Sequence, residues 1–287
     1  MKVAITGAGG MLGGELVRIF QDKGYHVVPV NRDNLDIIDK DAVLIFLRNL
    51  RPDIVINAAA YNFVDLAEGE AFNQAIAVNA HGPANLADAC EDIGALFVHY
   101  SSDYVFDGQR QLGYAENDRP NPVNKYGLSK YKGEEEIKNR ANKYYICRVS
   151  RLFGRPGNSK NSKKSFPALM LDLARDKSEL KVVDSEVATP SYAPDVALFT
   201  EKLIKERLKY GIYHLINEGG GVSWYEFAQE VLEAAELKAR IVPVSAEEFG
   251  TRPAKRPANS SLLNTNFIPL PKRQEAILRF VRDLERK

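Results

Sequence analysis

Tryptophan occurs once, cysteine twice and methionine three times among 287 residues. Two cysteines cannot staple a chain of this length, and Cys90 and Cys147 make no metal or redox spacing. Both fall inside predicted elements and read as buried, reduced thiols of a cytoplasmic protein. Charge of one sign is not in excess: 39 Lys and Arg face 38 Asp and Glu, a net charge of +1. Nothing in that balance points to a polyanion, so nucleic acid is not an expected partner. No run approaches the roughly 20 apolar residues that span a bilayer. The opening MKVAITGAGG is a short apolar run broken by glycines, without the longer apolar stretch and small-residue cleavage site of a secretory signal. Internal repeats and low-complexity segments are lacking too. The nearest approach, the polar and basic stretch from Asn158 to Lys164, reads as a surface loop.

What is present is ordinary globular composition, 45% hydrophobic and 27% charged, enough for a large core. Short apolar runs alternate with helical periodicity through the first half. Strands are expected at Lys2–Thr6, His26–Val30, Asp53–Asn57, Leu96–Tyr100 and Tyr144–Val149. Helices are expected at Met11–Lys23, Asp39–Leu50, about Ala71–Ile93 and Val123–Arg140. Continuous apolar strands separated by crossover helices describe a doubly wound parallel sheet, buried on both faces. After Ser150 the pattern is less regular. A helix is expected near Phe166–Arg175, a strand near Leu180–Val183, a helix at Pro194–Leu208 and a strand at Ile212–Asn217. Ser223 with Glu226 forms a capping-box signature for a helix to about Ala235, and an amphipathic helix spans Arg273–Glu285. The expected fold class is therefore α/β, a Rossmann domain over 1–150 with a smaller α+β substrate domain over 151–287. Residues of about 192–217 are expected to return to the first domain.

Gly7, Gly10 and Gly13 give G-x-x-G-x-x-G directly after the first strand and at the start of a helix. Such a turn needs glycine so that the backbone can approach a pyrophosphate, which then meets the helix N-terminal N–H groups. Met11 and Leu12 belong to the same turn. At the end of the second strand an acid would hold the ribose 2′-hydroxyl of NAD. The chain has Asn31 and Arg32 instead, and an arginine suits a 2′-phosphate, so NADP(H) is favoured with NAD(H) the alternative. Asp36 is a candidate on the adenine side. Ala58, Ala59 and Ala60 are small enough to let a dinucleotide lie across the strand ends.

Tyr126 and Lys130 are four residues apart in a predicted helix and share one face. A phenol titrating near 10 moves toward working pH beside an ammonium and an oxidised nicotinamide. The fourth strand of this half runs into Ser101-Ser102-Asp103, so Ser102 reaches the carboxyl end of a central strand, beside the cofactor crevice.

The stretches ITGAGGMLG, LDIID (Leu35–Asp39), INAAAYNFVDLAE (Ile56–Glu68), VNA (Val78–Ala80), YSSDYVFDG (Tyr100–Gly108), YGLSKYKGE (Tyr126–Glu134) and RPAKRPANSSL (Arg252–Leu262) cover nearly the whole chain. Together they resemble the extended short-chain dehydrogenase/reductase superfamily, and within it the dTDP-4-dehydrorhamnose reductases. The resemblance implies hydride delivery from NADPH or NADH to C4 of a dTDP-linked 4-keto-6-deoxy sugar. Tyr126 would supply the proton, Lys130 would lower the tyrosine pKa and hold the nicotinamide ribose, and Ser102 would orient the keto oxygen. It places Ser102, Asp103, Val105, Tyr126, Arg151, Arg252 and Arg256 around a nucleotide-sugar substrate. Arg252, Lys255 and Arg256 suit a diphosphate, although each also reads as a solvated surface charge.

Two positions depart from the family pattern. Arg151 stands where a tryptophan usually packs on the substrate, and Asn62 where a threonine is common. Glu15 corresponds to a glutamate that some relatives give to magnesium at a dimer contact, but a plain helix-surface glutamate explains it equally, so no metal is assigned. A homodimer is an open possibility. The histidines show no ligand spacing, and Trp224 reads as packing. Rival readings are an epimerase with tightly held NAD, a reductase of another 4-keto sugar, and a non-catalytic regulatory subunit resembling the β subunit of methionine adenosyltransferase.

Overall fold

The computed structural model describes residues 1–159 and 162–285; Lys160 and Asn161, within the expected surface loop, lie outside the described residues. The chain begins with β1 (Lys2–Thr6), α1 (Met11–Asp22), β2 (His26–Val30), α2 (Lys40–Leu50) and β3 (Ile54–Asn57). It continues through α3 (Phe72–Ile76), α4 (Gly82–Ile93), β4 (Leu96–Ser102), α5 (Lys125–Arg140) and β5 (Tyr144–Val149). Next come β6 (Leu152–Phe153), α6 (Phe166–Asp176), β7 (Glu179–Val183), β8 (Val187–Ala188), β9 (Ser191–Tyr192), α7 (Ala193–Lys205) and β10 (Gly211–His214). The last elements are β11 (Asn217–Glu218), β12 (Val222–Ser223), α8 (Trp224–Ala234), β13 (Arg240–Val244), α9 (Ala246–Phe249), β14 (Leu270–Lys272) and α10 (Arg273–Glu285).

Six strands form one parallel sheet in the order β10-β5-β4-β3-β1-β2. Its apolar strands face helices on both sides. On one face Val3, Ile5 and Ile56 pack with Leu16 and Phe20 of α1 and with Val196, Phe199 and Leu203 of α7. On the other, Ala4, Val55 and Ile146 pack with Val43, Leu86 and Ile137 from α2, α4 and α5. Each fully buried side chain of this kind contributes about 1.5–3 kcal/mol. A third core joins Phe153 to Leu180, Phe227 and Val231 and to Phe280 of α10, over the small β13–β7 pair.

The single helix expected over Ala71–Ile93 is three pieces: α3, a π turn at Ala77–His81, and α4. Pro83 has no N–H to return to the carbonyl of Asn79, so the regular ladder breaks there. The break has a use. The Asn79 side chain accepts from Tyr61 N (2.9 Å) and donates to Tyr61 O (3.0 Å) and Ser129 Oγ (2.9 Å). That ties the segment after β3 to α5.

Below the sheet edge lies a buried polar network. Arg148 donates to both Glu134 carboxylate oxygens, at 2.8 and 2.7 Å, with both side chains at most 1% exposed. The guanidinium also lies over the ring of Phe106. His214 shares the site, its Nδ1 2.8 Å from the carbonyl of Leu263. Burial first, then the Arg148 charge, lowers its pKa to about 3. His99, buried beside Lys130, is also held well below its usual value by burial. Both imidazoles are neutral in the folded state and take up protons near 6.5 once unfolded. Stability is therefore whole above pH 6.5 and falls as pH drops below it, by about 1.4 kcal/mol per pH unit for each histidine. A thermal-melt series from pH 7.5 to 5 should show the melting temperature already declining by pH 6, above the range where carboxylates titrate. A flat profile would contradict the assignment.

Candidate active site

The dinucleotide turn is built by contacts that exclude a side chain. Gly7 has φ +69°, and a Cβ there would lie 2.5 Å from the backbone N of Ala59. A Cβ on Gly13 would lie 2.0 Å from the carbonyl oxygen of Gly7. Gly10 caps α1 without any side-chain hydrogen bond to the first-turn N–H groups. A cradle closed to Cβ atoms, at an N-terminus without a side-chain cap, fits a diphosphate. Gly13→Ala should weaken NADPH binding by about tenfold or more, since relieving such overlap costs about 1–3 kcal/mol. A fluorescence titration of bound nicotinamide measures this.

The other expected cofactor residues divide. The Asn31 side chain accepts from Gly9 N at 2.7 Å, so it braces the glycine turn itself. Arg32 is 70% exposed and 3.3 Å from Asp36, a pair that sits beyond the end of β2. Leu12 is buried in the sheet core and Met11 packs against it, so in the case of Leu12 only the backbone faces the turn. The backbones of Ala58 and Ala59 pass under Gly7, and Ala60 follows them, partly buried. Glu15 accepts from Arg18 at 2.8 Å.

Ser102 ends β4 and caps the short 3-10 turn Asp103–Val105, accepting from Tyr104 N at 3.2 Å and donating to Asp103 Oδ1 at 2.9 Å. Helix α5 starts at Asn124, whose side chain accepts from Gly127 N at 2.7 Å and donates to the carbonyl of Lys255 at 2.8 Å. Gly127 lets α5 lie against this turn: a Cβ would stand 2.0 Å from Tyr104 O. That approach sets Tyr126 edge-on to Tyr104, with ring centroids 5.8 Å apart. The Tyr126 hydroxyl donates to Asn62 Oδ1 at 3.4 Å and lies within reach of Ser102.

Lys130 is 2% exposed and donates to the carbonyl of Tyr100 at 2.6 Å. Burial lowers its pKa to about 8, against the opposing charge of Glu134. The phenol moves the other way from the expectation. Burial first and then Asp103 push Tyr126 up, with a Ser102 hydrogen bond opposing them. In the protein alone Lys130 is not among the groups that shift the phenol, and its ammonium donates to the β4 backbone.

The expected substrate residues have partners within the fold. Val105 is fully buried with Phe106, Tyr114, Ile216 and Leu262, and its carbonyl accepts from Asn121 N; its side chain belongs to that core. Arg151, at φ +42°, donates to the carbonyls of Val222 (2.7 Å) and Glu186 (2.6 Å), and its guanidinium sits 3.8 Å over the ring of Trp224. Burial lowers its pKa to about 10. Arg252 pairs with Glu186, and Arg256 makes two bonds to Asp65, at 2.6 and 2.8 Å. Each of these cations is already held by protein oxygens. Sequence reasoning missed three residues here. Asn79 carried no signal beyond the VNA triplet. Ser150 and Ser260 both donate to Asp103 (2.8 and 2.6 Å); Ser260 lies in the RPAKRPANSSL stretch but nothing there singles it out, and Ser150 carried only its place at a strand end.

A six-stranded parallel sheet, a glycine turn between β1 and α1, and a tyrosine within reach of the serine that ends β4 define a Rossmann-fold oxidoreductase. The chain belongs to the family described as RmlD substrate binding domain, which it matches over residues 1–285. It is 39% identical over 261 residues to the spore coat polysaccharide biosynthesis protein SpsK of Bacillus subtilis, covering 91% of this chain and 88% of that one. It is 35% identical over 305 residues to the dTDP-4-dehydrorhamnose reductase of Burkholderia thailandensis, covering 99% of each. Among solved structures, that of dTDP-4-dehydrorhamnose reductase from Bacillus anthracis in complex with NADP superposes with a TM-score of 0.92 at 38% identity, over 98% of this chain and 99% of that one. Among the described residues no helix is long and apolar enough to cross a membrane.

Proposed function

We propose that this protein reduces the C4 keto group of dTDP-4-dehydro-L-rhamnose to give dTDP-L-rhamnose, with NADPH as the favoured hydride donor. The observation that supports the reading is Tyr126 within reach of Ser102 at the end of β4, on the helix whose Lys130 donates to the Tyr100 carbonyl of the same strand. The nicotinamide supplies the hydride for C4 when bound. The residues do the rest. Gly7, Gly10 and Gly13 receive the diphosphate on the α1 N-terminus, and Arg32 meets the 2′-phosphate. Tyr126, kept protonated by its burial, gives its proton to the oxygen that becomes the C4 hydroxyl. Lys130 holds the nicotinamide ribose, and its charge favours the phenolate left behind. Ser102 orients the keto oxygen.

In this reading residues 1–150, with about 192–217, bind the dinucleotide, and the rest of 151–287 binds the sugar nucleotide. The protein works in the cytoplasm on a small-molecule substrate, without nucleic acid. Arg151 on Trp224 favours one second reading, a reductase of a different 4-keto nucleotide sugar, because the stack replaces a flat wall with a cation.

A panel of nucleotide 4-keto sugars with NADPH and NADH, followed at the nicotinamide absorbance, tests both. The highest kcat/KM is expected for dTDP-4-dehydro-L-rhamnose with NADPH. Preference for another sugar selects the second reading, and no oxidation with any sugar overturns both.

A further inference from the structure

Asp103 is 2% exposed, and its carboxylate receives three hydroxyls from three parts of the chain. Ser102, its neighbour, donates to Oδ1 at 2.9 Å. Ser150 at the end of β5 and Ser260 in the extended chain before β14 both donate to Oδ2, at 2.8 and 2.6 Å. Each distant serine is fixed by its backbone: Ser150 N donates to Ser191 Oγ at 3.2 Å, and Ser260 N to Val187 O at 2.9 Å. A serine has one proton to give. In the structure that of Ser102 goes to Asp103, whereas the proposed reduction needs it on the keto oxygen.

We propose that Ser150 and Ser260 are positioning residues: their two hydrogen bonds keep the buried Asp103 carboxylate satisfied when Ser102 turns its proton from Oδ1 to the keto oxygen. Without them, the turn would strand a buried charge, which is costly for a group with no water to replace the lost bond. The inference rests on the reductase reading given above. It also sets which ionisation state is active: Asp103 must be a carboxylate. Burial raises its pKa, and the three serines and Arg151 oppose that rise. The other groups around it are Tyr126 from α5 and Tyr104 from its own turn, with Glu186 and Arg256 acting on Tyr104. Removing either distant hydroxyl shifts the balance toward the protonated acid.

Two measurements test this. In the unliganded protein, the Asp103 carboxyl titration is followed by its ¹³C shift. In Ser150→Ala and Ser260→Ala the midpoint should rise by about one pH unit. Ser260→Thr, which keeps the hydroxyl, should leave it near the wild-type value. In turnover, both alanine variants should lose about tenfold in kcat with KM within about twofold, and the acid limb of the kcat profile should move up with the carboxyl midpoint. A midpoint unmoved in both alanine variants overturns the proposal, whatever turnover does. So does a wild-type carboxyl still protonated at pH 7, which decides the matter even if neither alanine variant folds. Absence of turnover in the wild type would instead fault the reductase reading, since the titration needs no substrate.

Discussion

Tyr126→Phe should lose about a thousandfold in kcat while binding NADPH as tightly as the parent protein. A positioned proton donor is worth about 10²–10⁴ in rate, and Tyr126 is the phenol that lies beside Ser102 and Asn62. The ring itself is buried against Tyr104, so phenylalanine keeps the packing, and the lost hydrogen bond to Asn62 is long, at 3.4 Å. Stopped-flow mixing with keto sugar reads the rate, and nicotinamide fluorescence reads the binding. Turnover within tenfold of the parent would remove Tyr126 from the chemistry. The pH profile gives a second check. Burial holds the phenol protonated across the neutral range, so the alkaline limb should reflect Lys130, lowered to about 8, and turnover should decline as that ammonium loses its charge.

Glu134→Ala should destabilise the fold by about 3–5 kcal/mol, the usual result of stripping one partner from a buried ion pair. Arg148 would keep a long bond to the Glu116 carbonyl, at 3.3 Å, and the face of Phe106, neither of which neutralises it. For a chain of this size the melting temperature should fall by roughly 10 °C. The double variant Glu134→Leu with Arg148→Met should cost much less, because it removes the stranded charge along with the pair. If the double variant were the less stable of the two, the pair would owe its worth to something other than mutual neutralisation. Glu134 lies one helical turn from Lys130 and supports its charge, so the single variant should also shift the alkaline limb of turnover to lower pH.

The first half of the fold was legible because its strands are buried on both faces and so read as unbroken apolar runs. The N-caps at Asp39 and Ser223 likewise announce their helices within the local sequence. The π turn at Ala77–His81 was not legible: helical periodicity runs through it, and only Pro83 marks the break. The glycine turn and the Ser102, Tyr126 and Lys130 set were readable because each is a short pattern tied to a strand end or one helix face. The electrostatics of the site were not. Arg252 and Arg256 look like free cations in the sequence, yet their partners Glu186 and Asp65 lie 66 and 191 residues away. In the sequence Arg151 reads as a departure and Trp224 as packing, and only the folded chain stacks one on the other. Val105 sits inside a functional motif but serves the core, a distinction that side-chain direction decides and spacing does not.

The sheet's outermost strand beside β5 is β10, and α7 covers α1 from the same face. Both are supplied by chain that follows the small strands around Phe153 and Tyr192. A polypeptide ended at Ser150 would strip α7 from α1 and leave β5 as a raw edge open to self-association. Exchanging sugar specificity between relatives by grafting therefore needs two junctions, one on each side of 193–214, and a chimera made with a single crossover at 150 would pair α1 with a foreign α7.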